Sequence, residues 1–175
     1  MLRGLGAETE EVRTVPDLDK ADALVLPGGE STTQLQFLRE EGLFEAINEF
    51  AATGHPIFGT CAGAILLATH VKHPEQPSLG LLDMTILRNA YGRQLASDVF
   101  FGRTTLKKDP LEMVFIRGPV IESVAPGISV LAKLDGSPTL VQKDRILAAT
   151  FHPELTTDPT VHLHFLSLLP NSRRH

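Results

Sequence analysis

Pro56-Ile57-Phe58-Gly59-Thr60-Cys61-Ala62-Gly63 is the stretch on which the fold of this chain turns. Its first three residues are a short apolar run of the kind that forms a buried strand. The run ends in small residues around Cys61, the only cysteine, and a helix is expected from Ala62 to His70. Small flanking residues permit the sharp strand-to-helix turn that presents a nucleophile, so the stretch reads as a thiol version of the nucleophile elbow. Such a thiol needs a base, and Phe151-His152-Pro153-Glu154 supplies an imidazole and a carboxylate far down the chain. The partners of a nucleophilic cysteine meet in space and not in sequence.

Working outward from the elbow, Ala23 to Leu26 is a second buried-strand run, broken by Pro27-Gly28-Gly29. Ser31-Thr32-Thr33-Gln34 fits a capping box with Ser31 as N-cap. Leu43, Ile47 and Phe50 share one helical face, and Gly54 closes that helix. Near the start, residues 1–8 read as the tail of a helix stopping at Gly6, and Glu11 to Val15 alternates as a short strand. From residue 80 the texture turns to strands: Met84 to Leu87, Val99 to Leu106, Met113 to Ile116 and Ile128 to Leu131. Leu140-Val141 and Ile146 to Phe151 form a hairpin around Gln142 to Arg145. Asp158-Pro159 opens a last helix.

Strands alternating with helices imply an α/β fold, a mainly parallel central sheet with helices on both faces. Ligand sites in such folds lie at the carboxyl ends of strands. The Pro27-Gly28-Gly29 turn, Cys61 and His152 each follow a predicted strand directly, so three separate segments converge on one rim.

The bulk properties remove several classes of function. With 175 residues, the chain is expected to be a single domain over 1–175. The net charge of −5 and scattered basic residues give no nucleic-acid footprint. No apolar stretch reaches the roughly 18 residues of a membrane span, and the start lacks a signal-peptide pattern. A lone cysteine excludes an internal disulfide and suits a reducing cytoplasm.

A cysteine in a cytoplasmic protein is more often a small buried hydrophobe than a nucleophile. The elbow and the His-x-Glu pattern reverse that balance here. The thiolate is the reactive form, favoured by a helix N-terminus and a neighbouring imidazolium. His152 would carry the proton and Glu154 would orient the ring. The Gly29 and Ala62 N–H groups are the natural oxyanion donors, each commonly worth ~10²–10³ in rate. The pairs His70/His73 and His162/His164 invite a metal reading, which is weak because the first pair straddles a predicted helix end and the i,i+2 spacing of the second does not share a helical face. The glycine pattern is neither a dinucleotide fingerprint nor a Walker A loop. No cofactor and no metal is implied.

Five segments also carry a family resemblance. They are Pro27-Gly28-Gly29-Glu30-Ser31-Thr32-Thr33, Gly59 to Gly63, Arg88-Asn89-Ala90-Tyr91-Gly92-Arg93-Gln94, Phe115-Ile116-Arg117-Gly118-Pro119 and Phe151 to Thr156. In this order the chain resembles the glutaminase subunits of pyridoxal 5′-phosphate synthase, which are class I triad glutamine amidotransferases. The resemblance runs from about residue 1 to about residue 169. It implies a class I glutamine amidotransferase-like, flavodoxin-like three-layer fold. It further implies hydrolysis of L-glutamine to glutamate and ammonia, and passage of the ammonia to a (β/α)8-barrel synthase subunit.

Carried over by residue, the resemblance makes Cys61 the nucleophile, with His152 and Glu154 as its relay. It places Gly29, Glu30, Ser31, Arg88, Ile116 and Arg117 around the substrate. An arginine suits recognition of the α-carboxylate of a free amino acid. Arg88 and Arg117 read from chemistry alone could equally be ordinary surface arginines. The resemblance also implies a strand and a glycine-containing loop ahead of the segment matching Met1, so the first strand of the fold is expected to be missing here. Alternative readings are a triad glutaminase of another synthase, such as the imidazole glycerol phosphate branch, a γ-glutamyl hydrolase, or a shortened docking subunit without activity.

Overall fold

In the computed structural model, which describes residues 1–89 and 97–170, the elements follow the order set by the apolar runs. A 3-10 turn at Leu2–Leu5, closed by left-handed Gly6, precedes α1 (Val15–Leu18), β1 (Leu24–Leu26), α2 (Ser31–Glu40) and α3 (Leu43–Ala52). Then come β2 (Ile57–Thr60), α4 (Ala62–Leu67), β3 (Ala68–Lys72), β4 (Leu82–Leu87), β5 (Ser97–Thr104) and β6 (Leu111–Ile116). β7 (Val120–Val124), β8 (Ser129–Leu134), β9 (Ser137–Lys143) and β10 (Ile146–Ala149) complete the strands. A 3-10 turn at Pro153–Leu155 leads into α5 (Thr160–Ser167).

Among the described residues, seven strands form one sheet in the order β1-β2-β10-β9-β8-β5-β6, and β3-β4-β7 form a smaller sheet. The strand pairs β1–β2 and β2–β10 are parallel, whereas β10–β9, β9–β8, β8–β5 and β5–β6 are antiparallel. The α/β class is as expected, but the parallel pairing in this sheet is confined to the end that carries the elbow. The hairpin around Gln142 to Arg145 explains the change, because a tight turn can only join antiparallel neighbours.

Alternation along the strands builds two cores. Leu24, Leu26, Ile57 and Ala148 face α2, α3 and α4, while Phe58, Leu147 and Ala149 face α5. Helices therefore cover both faces of the sheet. Phe58 meets Phe165 of α5 with ring centroids 5.4 Å apart and ring planes tilted by 40°, a contact that adds to its burial.

Three local expectations are corrected. Glu11 to Val15 is not a strand: Thr14 and Asp17 form a capping box that starts α1, and Pro16 in its first turn removes a ladder donor. The helix after the elbow ends at Leu67 rather than His70, because Ala68–Lys72 pairs in parallel with β4. The N-cap of α2 is Glu30, not Ser31; its carboxylate accepts the Thr33 N–H at 2.9 Å. No helix among the described residues is long and apolar enough to cross a membrane.

Candidate active site

The elbow is held by backbone contacts. The Cys61 N–H donates to the Ala149 carbonyl at 2.8 Å, extending the β2–β10 pairing by one residue. Cys61 itself has φ 50° and ψ −104°, a conformation that is costly for a non-glycine residue and that clusters at functional sites. Gly63 makes the turn possible: a Cβ there would run into the Leu26 carbonyl group of β1. Ala62 is the first residue of α4, and the intrahelical bonds begin only with the Ala64 and Ile65 N–H groups, which donate to the Cys61 carbonyl.

His152 follows β10 and is anchored by its N–H, which donates to the Val114 carbonyl of β6 at 2.8 Å. Its Nδ1 lies 2.8 Å from Oε1 of Glu154. Cys61 interacts with the same ring: the Cys61 side chain first, then the hydrogen bond with Glu154, raises the His152 pKa to about 9. For Glu154, burial pushes the carboxyl upward, but the hydrogen bond from His152 and its positive charge leave it below its ordinary value. A charged imidazole beside a sulfur and a carboxylate can deliver a proton to a leaving amine and, once neutral, take one from water.

The glycine turn closes against this pair. Gly28 packs directly on the imidazole, so that a Cβ at Gly28 would overlap Cε1 of His152. Gly29 has φ 144°, where a side chain is strained whatever the space. The side chain of Gln34 donates to the carbonyls of Pro27 and Gly28 at 3.1 and 3.3 Å and fixes the turn from below. Gln34 thus holds the glycine turn instead of closing the capping box expected of it.

Beyond the turn, Glu30 accepts from Thr32, from Thr33 and from Arg88 Nη2, the last at 3.1 Å. Its pKa falls to about 2, first through the Thr32 hydroxyl and then the Thr33 N–H. The Arg88 side chain is largely buried, with its backbone N–H bonded to the Lys72 carbonyl. Ser31 donates to Gln76 Oε1 at 3.0 Å, tying the turn to the loop after β3. Ile116 is half-exposed at the end of β6, and Arg117 follows with φ 48°. Gly118 then packs so closely on Thr150 that a Cβ would stand 2.5 Å from its carbonyl oxygen, which keeps this segment beside His152. Ala90, Tyr91, Gly92, Arg93 and Gln94, from the third of the five segments, lie outside the described residues.

The structure thus places Cys61, His152, Glu154 and the Gly28-Gly29 turn together and pairs Glu30 with Arg88. Sequence reasoning missed Gly28 as the residue against the imidazole and Gln76 as the partner of Ser31. Contact between segments so far apart carries no local pattern. His162 and His164 have separate surroundings: His162 is buried edge-on to Phe58, and His164 Nε2 lies 2.6 Å from Gln142 Oε1.

The chain is similar to known proteins. A family model described as the SNO glutamine amidotransferase family matches residues 1–169. A Koribacter versatilis protein named pyridoxal 5′-phosphate synthase subunit PdxT is 49% identical, over 98% of this chain and 88% of its own length. A Thermotoga maritima protein of the same name is 46% identical, over 96% of this chain and 90% of its own. Among solved structures, one described as a glutamine amidotransferase superposes with a TM-score of 0.89 at 44% identity, covering 95% of this chain and 89% of that one.

Proposed function

The chain belongs to the SNO glutamine amidotransferase family, and from that premise we propose that Cys61, His152 and Glu154 are its catalytic triad. The enzyme hydrolyses L-glutamine to L-glutamate and ammonia, as the glutaminase subunit of a pyridoxal 5′-phosphate synthase. The relatives' names support the synthase assignment. The observation that carries the site is the imidazole of His152, 2.8 Å from the Glu154 carboxylate, packed on the Gly28 turn and raised in pKa by Cys61.

The Cys61 thiolate attacks the side-chain amide carbon of glutamine, and the Gly29 and Ala62 N–H groups receive the developing oxyanion. His152 gives its proton to the departing nitrogen, which leaves as ammonia, and a thioester remains on Cys61. Water then attacks the thioester with His152 as base, and glutamate leaves as the sulfur is freed. Glu154 keeps the ring aligned and stabilises its charged form. Arg88 and Arg117 provide cations for the α-carboxylate, while Glu30, held as an anion, provides an acceptor for the α-ammonium. Gly29, Ser31 and Ile116 shape the rest of the substrate pocket. The protein acts as one domain, in the reducing cytoplasm that a lone cysteine suits.

Replacing Cys61 with Ala tests the proposal. Glutamate release should be abolished while unfolding stays cooperative, since the substitution removes one sulfur atom and leaves the backbone of the elbow in place. Undiminished turnover would refute the triad. Adding the (β/α)8-barrel synthase subunit should accelerate glutamate release and give ammonia-dependent product; product formation only with an unrelated synthase would move the assignment to another branch.

A further inference from the structure

The turn that carries the two triad partners has a weak point. β10 ends at Ala149, and the last sheet contact before the turn is the His152 N–H to Val114. After that, the backbone bonds of Pro153–Leu155 are local, Leu155 N–H to the His152 carbonyl at 3.2 Å and Thr156 N–H to the Pro153 carbonyl at 3.4 Å. Pro153 is buried, but Glu154 is only partly covered and Leu155 is exposed, so packing fixes the turn at its first residue more than at the carboxylate. The carboxylate must nevertheless stay within hydrogen-bond distance of His152, and misplacement by about 1 Å can cost ~10²-fold in rate.

An anchor arrives from the other side of the turn. Lys107, on the loop between β5 and β6, places Nζ 2.5 Å from Oδ2 of Asp158. Both side chains are mostly withdrawn from solvent, 29% and 14% exposed. The second oxygen of Asp158 accepts from the Thr160 N–H at 3.0 Å and the Thr160 hydroxyl at 2.5 Å, which fixes the carboxylate at the start of α5. The Asp158 N–H donates to Thr156 Oγ1 at 3.1 Å, and Thr156 is buried. The Thr156 hydroxyl lies 3.2 Å from the carbonyl of Pro153, the residue between His152 and Glu154. A continuous path of polar contacts therefore runs from Lys107 to the centre of the triad turn.

We propose that Lys107 is a positioning residue of the triad, acting through the Asp158 carboxylate and the Thr156 hydroxyl on the turn that bears His152 and Glu154. The inference rests on the triad reading given above. Asp158 is held in the charged form that this pairing needs. Burial pushes its carboxyl up, and Lys107 followed by Thr160 brings it below its ordinary value. The same loop leads into β6, whose Val114 carbonyl holds the His152 N–H. Both ends of the triad turn are thus referred to one strand and the loop before it.

The test compares wild type, Lys107→Met and Lys107→Arg in the full chain, with the synthase subunit present. Steady-state glutamate release and the rate of Cys61 alkylation by iodoacetamide across pH are measured on each. Lys107→Met should lower kcat by about tenfold or more while KM moves by no more than about twofold, the pattern of a lost transition-state alignment. The alkylation profile should shift, because a loosened Glu154 no longer supports the charged imidazole. Lys107→Arg should restore most of kcat, since its guanidinium reaches the same carboxylate. Wild-type kcat and profile in Lys107→Met, or a loss confined to the melting temperature, would overturn the inference. Failure of the triad reading looks different: Cys61→Ala would keep releasing glutamate, and the inference would fall with it.

Discussion

Gly28 is in van der Waals contact with the His152 imidazole along the face that a side chain would occupy: a Cβ there overlaps Cε1 and comes within 3.1 Å of Nδ1. The glycine turn therefore sets the position of the ring as well as supplying backbone donors. Gly28→Ala must push the ring away from Glu154, from Cys61, or from both. We expect kcat to fall by ~10²-fold with the fold retained, as for other small displacements of a reacting group. Steady-state glutaminase kinetics with a melting curve check this; an alanine variant as active as wild type would show that the ring has room to move.

Gly63 makes a different demand. A Cβ at this position would collide with the Leu26 carbonyl group, whose strand lies beside the elbow. Backbone cannot yield as a side-chain tip can. Gly63→Ala is expected to cost at least the ~1–3 kcal/mol typical of overpacking, and to lower activity because the helix carrying the Ala62 N–H is displaced. Denaturant unfolding monitored by circular dichroism reads the first effect. A midpoint equal to the wild type would mean that α4 can shift without loss.

Much of this site was legible because its parts are local. The elbow is written in five consecutive residues, and His152 and Glu154 are two apart after a strand. The strand runs at Ala23 to Leu26, Pro56 to Phe58 and Ile146 to Phe151 were readable because burial on both faces makes them largely apolar, although the last ends at Ala149. Other features were not local. Glu11 to Val15 has strand alternation, but Pro16 and the Thr14–Asp17 box decide its structure. β7 (Val120–Val124) gave no signal, since only some of its residues are buried and its pairing with β4 is irregular. The role of Gln34 could not be read either: with Glu30 as N-cap, Gln34 falls one residue past the capping-box position, and its side chain donates to the glycine turn instead.

Glu30 joins stability to substrate recognition. As N-cap of α2 it satisfies the Thr33 N–H, and the same carboxylate pairs with Arg88. Glu30→Ala should lose about 0.5–2 kcal/mol of stability through the missing cap. It should also raise KM for glutamine, because Arg88 loses the group that orients it. Glu30→Gln keeps the shape and removes the charge, so its KM defect should persist with a smaller stability loss. Kinetics and urea unfolding on both variants separate the two contributions; a normal KM in both would remove Glu30 from the substrate site.

The pH response of stability offers a check on the imidazole itself. His152 has its pKa raised from 6.5 to about 9 in the folded chain, chiefly by Cys61 and next by Glu154. Between those values the folded state keeps a proton that the unfolded state has released, so rising pH favours unfolding. The stabilisation is fully present below about pH 6.5, declines through the window, and is gone above about pH 9. Relative to His152→Asn, which cannot titrate, the wild type should show its largest margin in melting temperature near pH 6, and the margin should close toward pH 10. In a Cys61→Ala background the leading cause of the shift is removed, so the window should narrow and the margin should close at lower pH. Equal margins at every pH would mean that the ring is not held as a cation beside the sulfur, and the proton inventory of the proposed acyl transfer would have to be rewritten with a neutral imidazole as its starting state.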